Sequence, residues 1–331
     1  MSQISTELQS RALVASSRSL DLSIETVVCI PSFRRPQHLR LTLESLANQR
    51  TDRRFAVVIV ENDALRSESA PVAAEFLHAE KIHGLCLVEP RQGNCYAINA
   101  AFETALAMFP VAANFLMIDD DEIASPDWLE LMVRAAGTSG ADLVGGPVFP
   151  DFNDDTKLGL RHHPAFCPAY DTSGPVPVIY GCGNCLITRP VFARLGDPAF
   201  DLRFNLLGGG DTDFFVRCRQ AGMKFHWAAE AIITETVPDN RTYPGWLALR
   251  GLRIGAINYH IEVKAARTAL ARLKLLARMF GRLPLSLVRA GRLVFTQRVS
   301  IALHPVTVAA GSALAAIGIE PQPYKASKIV S

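Results

Sequence analysis

The chain has 331 residues, of which 49% are hydrophobic and 20% charged. This composition excludes an intrinsically disordered polymer, and the length allows one large or two modest domains with buried cores. The net charge of +2 conceals an asymmetry. Val263 to Ile319 carries nine Lys or Arg residues and no Asp or Glu, so the part before it is net acidic. A basic tail of this kind marks a surface for anionic partners. Seven cysteines, an odd number without regular spacing, read as reduced thiols of a cytosolic protein.

Residues 1–24 are rich in Ser with scattered charge and read as a flexible leader, neither signal peptide nor spanning helix. Thr26–Ile30 (TVVCI) has the pattern of a buried strand, and a helix is expected from Pro36. Phe55–Val60 is the second strand, with a helix over Pro71–Glu80. Leu85–Val88 is the third strand and Asn94–Met108 an amphipathic helix. Asn114–Ile118 is the fourth strand. It runs into acidic residues and then Ser125-Pro126, expected to open the next helix as N-cap and first helical residue. Residues 141–173 read as long loops. Strands return at Asn184–Thr188 and Ala231–Thr234, around a helix from about Asp211 to Ala221. Past Pro244 the composition shifts to helix formers with basic residues. The expectation is a catalytic domain over 25–244 and a helical, basic region over 245–331. Strands alternating with helices predict an α/β fold with a parallel-rich sheet, whose ligands bind beyond the carboxyl ends of the strands.

At such an end stand Asp119, Asp120, Asp121 and Glu122. Adjacent acids raise one another's pKa unless a cation is present. A hard cation, Mn2+ or Mg2+, takes carboxylate oxygens together with substrate phosphates. Asp119 and Asp121, in a D-x-D arrangement, are the expected metal residues, and the metal would stabilise a leaving diphosphate. An acidic loop serving the next helix N-terminus is the plainer alternative. Gly208-Gly209-Gly210 lead into Asp211 at a helix start, where the Asp reads either as a general base or as a helix cap. Cys182 and Cys185 form a C-x-x-C with no partner pair, read as packing thiols around a Gly-Asn turn. His162-His163 reads as polar loop, and Trp227 and Trp246 as packing or an acceptor groove.

The first strand is followed by neither G-x-G-x-x-G nor a Gly-rich basic loop, which excludes a dinucleotide enzyme and a sugar-phosphate nucleotidyltransferase. Instead four pieces, in order, resemble the family 2 inverting glycosyltransferases with the GT-A fold. They are Cys29–Pro36, Val58–Asp63, Phe115–Glu122 and Gly208–Phe214. The likeness extends to bacterial exopolysaccharide glucosyltransferases of the succinoglycan type, through Val237–Arg241 and the basic tail. It implies a Rossmann-like mixed sheet that binds a nucleotide sugar. Pro31, Phe33, Arg35, Glu61 and Asn62 would cradle base and ribose. Asp119 and Asp120 would hold ribose and diphosphate, Asp119 and Asp121 the metal, and Asp211 would be the general base. The implied reaction moves a sugar, glucose by the likeness, from a UDP-sugar to a polyprenyl-diphosphate-linked saccharide at the cytoplasmic face of the inner membrane. Three positions depart from the family pattern: Gly210 where Glu is usual, Ile98 in place of the Arg of Ala-Arg-Asn, and Thr234 in place of a late His. Glu235 and His226 are the candidate replacements for that His. The alternative is a catalytically degenerate transferase kept as a membrane-bound assembly subunit.

In the tail, Lys264, Arg267, Arg272, Lys274, Arg278, Arg282, Arg289, Arg292 and Arg298 are interleaved with Leu, Val, Phe and Met. Helical spacing segregates a basic face from an apolar one, as in helices that lie on anionic membranes. Val299–Ile319 is free of charge and long enough to span, but His304-Pro305 and small residues favour a peripheral or partly embedded anchor. No nucleic-acid-reading element accompanies the charge. A homo-oligomer is compatible with the sequence.

Overall fold

The computed structural model describes residues 11–321. They fall into two compact units. The first comprises 11–149, 168–205 and 210–235, and the second 150–167, 206–209 and 236–321.

The first unit is built on a nine-stranded mixed sheet. Its strands are β1 (Ala12–Ser16), β2 (Thr26–Ser32), β3 (Phe55–Glu61), β4 (Gly84–Val88), β5 (Asn114–Met117), β7 (Leu143–Gly145), β9 (Gly174–Val176), β10 (Cys185–Thr188) and β11 (Phe225–Trp227), in the order β1-β4-β3-β2-β5-β10-β7-β11-β9. The centre, β4-β3-β2-β5, is parallel. β2 is buried at every residue and β3 at all but its first, as continuous apolar runs require when helices cover both faces of a sheet. Those helices include α1 (Pro36–Ala47), α2 (Ala70–His78), α3 (Asn94–Met108) and α4 (Trp128–Ser139). Pro36 opens α1, and Leu39, Thr42, Leu43 and Leu46 form its inward stripe at i, i+3, i+4, i+7. The core joins Val28, Ile30, Val57, Ile59 and Leu116 of the sheet to Leu39, Phe76, Trp128 and Met132 of the helices.

Register aligns the carboxyl ends that matter. Ser32 faces Glu61 across β2 and β3, and Glu61 faces Val88 across β3 and β4. The loops after β2, β3 and β5 therefore emerge along one edge. α5 (Arg189–Leu195) and α6 (Gly210–Gln220) complete this unit.

Two expectations are corrected here. The leader is not loose throughout, because Ala12–Ser16 adds an antiparallel edge strand to β4 and buries Ala15. Arg11 anchors it through Glu89 (2.8 Å) and Glu103 (2.7 Å); residues 1–10 lie outside the described range. Ser125-Pro126 does not open α4, which starts at Trp128 behind Asp127. The acids run first into β6 (Glu122–Ala124), paired with Ile233–Glu235 of β12 (Ile233–Val237) in a three-stranded sheet completed by β8 (Val148–Phe152), and the Ser125 amide donates to the Ile232 carbonyl.

The second unit is largely helical: α7 (Pro244–Ala265), α8 (Ala269–Leu293) and α9 (Val299–Ala316). It starts at 236 rather than at the expected 245 and takes in the 150–167 segment. Phe152, Leu160, Phe166, Val237 and Leu247 form its core, and Phe166 stacks on Trp246. His163, expected in a polar loop, is fully buried with its ring 5.1 Å from that of His304. α7 and α9 approach backbone to backbone. A Cβ on Gly255 would sit 2.1 Å from the Val308 carbonyl oxygen, and one on Gly311 2.0 Å from that of Leu252, so only glycine fits at either place.

Candidate active site

The loop after β2 and the acids after β5 are knit together. The Ser32 hydroxyl and the Phe33 amide donate to Asp120 Oδ2 at 2.9 and 3.1 Å. Arg35, fixed where α1 begins, reaches back to Asp120 Oδ1 (3.1 Å) and Asp121 Oδ2 (2.6 Å). The Asp119 amide donates to Glu122 Oε2 at 2.7 Å, so Glu122 folds back under the turn. Thr42 of α1 donates to the Glu122 carbonyl at 2.7 Å and locks it there.

Charge is crowded in this turn. Burial, then Asp121, Asp120 and Glu235, hold the Asp119 carboxyl far above the usual carboxylate range, with Arg35 opposing. Burial and the Asp119, Glu235 and Asp121 charges raise Glu122 in the same way. Burial also raises Asp120, against Arg35. Glu235 faces Glu122 across β6 and β12, which places it at the cluster. His226, the other candidate replacement, stands on β11 between Val144 and Pro175 of the neighbouring strands.

Asp211 is half-buried at the start of α6, and among the described residues its side chain accepts a hydrogen bond only from the neighbouring Thr212 hydroxyl, at 3.4 Å. Asp213 is buried and held by Arg217 at 2.8 Å. One acid of the pair is structural and the other available. Burial pushes the Cys182 and Cys185 thiols well up, and the next contributions to both come from Asp119 and Asp211. The two carboxylates thus share one neighbourhood with the C-x-x-C thiols, which are buried free cysteines.

The Gly-Asn turn that carries those thiols, expected from the sequence as packing, also supports the acid turn, a role sequence reasoning missed. A Cβ on Gly183 would lie 2.2 Å from Glu122 Oε1. Asn184 donates to the Pro147 and Ala231 carbonyls and accepts from the Trp128 indole at 2.8 Å. Gly-Cys-Gly-Asn ahead of a strand was the available signal.

Two expected nucleotide residues have other work. Glu61, fully buried, accepts from the Asp63 and Ser69 amides at 2.8 Å each. Asn62 donates to the Glu89 and Arg91 carbonyls and accepts from the Gly93 amide at 2.7 Å. Both hold loop backbone at the sheet edge rather than presenting side chains to a ligand. Pro31 is likewise buried within β2. Phe33 and Arg35 remain partly exposed at the edge. Trp227 is buried against Tyr170, which makes it packing.

Asp119 and Asp121 do not form a ready-made cation cage, and among the described residues no three His, Cys, Asp or Glu side chains converge as one. The donor set nonetheless fits a hard cation. Mg2+-type sites use one or two carboxylates and draw their remaining oxygens from phosphates and water, and the acids here lack enough counter-charge of their own.

Residues 27–196 match the family described as Glycosyl transferase family 2. The chain is 33% identical over 239 residues to the succinoglycan biosynthesis protein ExoM of Rhizobium meliloti (strain 1021), covering 71% of this chain and 73% of that one. The chain belongs to glycosyltransferase family 2. Its fold is GT-A. It resembles the mannosyltransferase PcManGT from Pyrobaculum calidifontis, solved with GDP-Man and Mn2+, at a TM-score of 0.57 and 16% identity, covering 94% of this chain and 92% of that one. It also resembles S. aureus TarS 1–349, solved with UDP, at 0.52 and 12%, covering 88% and 90%.

Within this transferase two departures from the family pattern have local causes. A Cβ on Gly210 would meet Cys95 Sγ at 2.8 Å and the Phe200 ring at 2.9 Å, so no Glu fits there. Ile98 is fully buried in α3, where an Arg would be stranded. The third, Thr234, faces Ile123 across β12 and β6, one residue before the acid that reaches the cluster.

Proposed function

We propose that this transferase is an inverting enzyme that moves a hexosyl group, glucose in the first instance, from a UDP-sugar to a polyprenyl-diphosphate-linked saccharide in exopolysaccharide synthesis. The observation that carries the reading is the shared neighbourhood of Asp119 and Asp211 around Cys182 and Cys185. An inverting transfer needs a diphosphate-holding acid cluster and a separate base within one substrate length. Mn2+ in PcManGT and the succinoglycan pathway of ExoM support the cofactor and the product class.

Phe33, Arg35 and Asp120 form the nucleotide side of the site. Asp119 and Asp121 would hold the cation, which when bound offsets the charge of the leaving diphosphate. Arg35 adds a fixed positive charge beside them. Asp211 accepts the proton of the acceptor hydroxyl as that oxygen bonds to the anomeric carbon. The bond from that carbon to the diphosphate oxygen breaks on the opposite face, UDP leaves, and the configuration inverts. The enzyme works at the cytoplasmic face of the inner membrane, where such acceptors are anchored.

The test is a panel of nucleotide sugars offered with Mn2+ or Mg2+ and membrane lipid acceptor, scored for released nucleotide and, by NMR, for the new linkage. Metal-dependent UDP release with a β-linked product from an α-linked donor is expected. An α-linked product would overturn inversion, and no release from any UDP-sugar would overturn the donor.

A further inference from the structure

α8 turns only a narrow stripe inward: Leu275, Met279, Ser286 and Ala290 are its buried residues. The sector beside that stripe is apolar and open to water. Leu273, Phe280 and Leu287 are 64%, 53% and 55% exposed, and Leu276 lies on the same line, since steps of 3, 4 and 7 residues return to one face at about 100° per residue. Phe295, just past the helix, is 86% exposed. The next sector around the helix is cationic, with Lys274, Arg278, Arg289 and Arg292. Arg278 is joined to Glu262, and so is Arg282 at 3.0 Å. Lys274, Arg289 and Arg292 have no carboxylate partner among the described residues.

We infer that α8 is a membrane-docking helix that lies flat on an anionic bilayer, with Leu273, Leu276, Phe280 and Leu287 in the acyl boundary and Lys274, Arg289 and Arg292 on lipid phosphates. This deepens the membrane placement proposed above and is independent of the transfer chemistry. Charge complementarity selects the occupant. A second copy docked here would set cation against cation, because Val263 to Ile319 contains no acid to pair. A nucleic acid would satisfy the cations and leave the leucines in water. Only a surface with phosphates over hydrocarbon satisfies both sectors.

α9 is the one described helix long and apolar enough to cross a membrane. One side of it packs on α7 through Gly255 and Gly311, and Ser312 donates to the Gly255 carbonyl at 2.9 Å.

The experiment is flotation of the full chain with vesicles of phosphatidylcholine alone or mixed with phosphatidylglycerol. Binding to the anionic vesicles only is expected. Replacing Lys274, Arg289 and Arg292 together by Gln should weaken it roughly a hundredfold. Phe280→Asp should abolish it, and Phe280→Trp should retain it with indole emission shifted to the blue. Circular dichroism and UDP release with a water-soluble acceptor stay at wild-type level in these variants, so failure of docking and failure of the transfer reading are separable. Equal binding to neutral vesicles, or unchanged binding of Phe280→Asp, would overturn the inference. So would a wild-type oligomer that Phe280→Asp dissolves, which would make this face a contact between copies.

Discussion

Arg35 Nη1 stands 2.6 Å from Asp121 Oδ2, so the acid turn of this transferase carries its own cation. The same guanidinium opposes the upward push on Asp119 and Asp120. Arg35→Ala removes that relief and leaves the carboxylates more dependent on an added ion. The variant is expected to unfold at lower temperature without metal and to gain more from Mn2+ than the wild type, by roughly 2–4 °C. Thermal shift with and without Mn2+ checks it. An equal gain in both proteins would show that Arg35 and the ion do not share these acids.

Gly183→Ala tests the floor of the site. The new methyl would fall on the Glu122 carboxylate, which holds the Asp119 amide. Glu122 must swing away, at a cost of about 1–3 kcal/mol in stability, and Asp119 loses its anchor. A drop of about tenfold or more in kcat/KM is expected alongside the shift in denaturant midpoint. Wild-type kinetics would mean that the Asp119 turn does not depend on Glu122.

The buried His163–His304 pair makes the helical unit sensitive to acid. Burial lowers His304 to about 4, with His163 and Arg250 adding to the effect, and burial lowers His163 as well. The unfolded chain takes up these protons near pH 6.5. Protons therefore favour unfolding, and the stability is lost as pH falls from 6.5 towards 4. For His304 the loss between pH 7 and pH 5 is roughly 2 kcal/mol. The raised carboxyls of the acid turn change stability with the opposite sign, so the comparison is with His304→Leu. Urea unfolding at the two pH values should give the variant a smaller loss than the wild type by about that amount.

How much of this was legible in the sequence depends on whether the signal was local. Val27–Ile30 and Ala56–Val60 declare central strands by their unbroken apolar runs, and the helix over Asn94–Met108 appears with the expected ends. The acids could be proposed because they follow an apolar strand at the edge where ligands bind, whereas spacing left Asp211 open between base and cap and only the likeness of Gly208–Phe214 to the family singled it out. What could not be read was set by distant partners. Ala12–Ser16 is a strand only because β4 lies open to it. Ser125 loses its capping role because Ile233–Glu235 pairs with Glu122–Ala124 first. His163 looks like loop until α9 brings His304 against it. Glu61 and Asn62 sit where ligand contacts are expected, yet the orphan amides of their own loops claim them.

The most direct measurement is made on Asp211→Asn, which keeps the shape of the side chain and removes its basicity. UDP affinity by calorimetry in Mn2+ should stay within about threefold of wild type. Sugar transfer to the lipid acceptor should fall by about a thousandfold or more. Transfer that survives in this variant would contradict the assignment of Asp211 as the base, and with it the pairing of that carboxylate with the Asp119–Asp121 turn as one catalytic site.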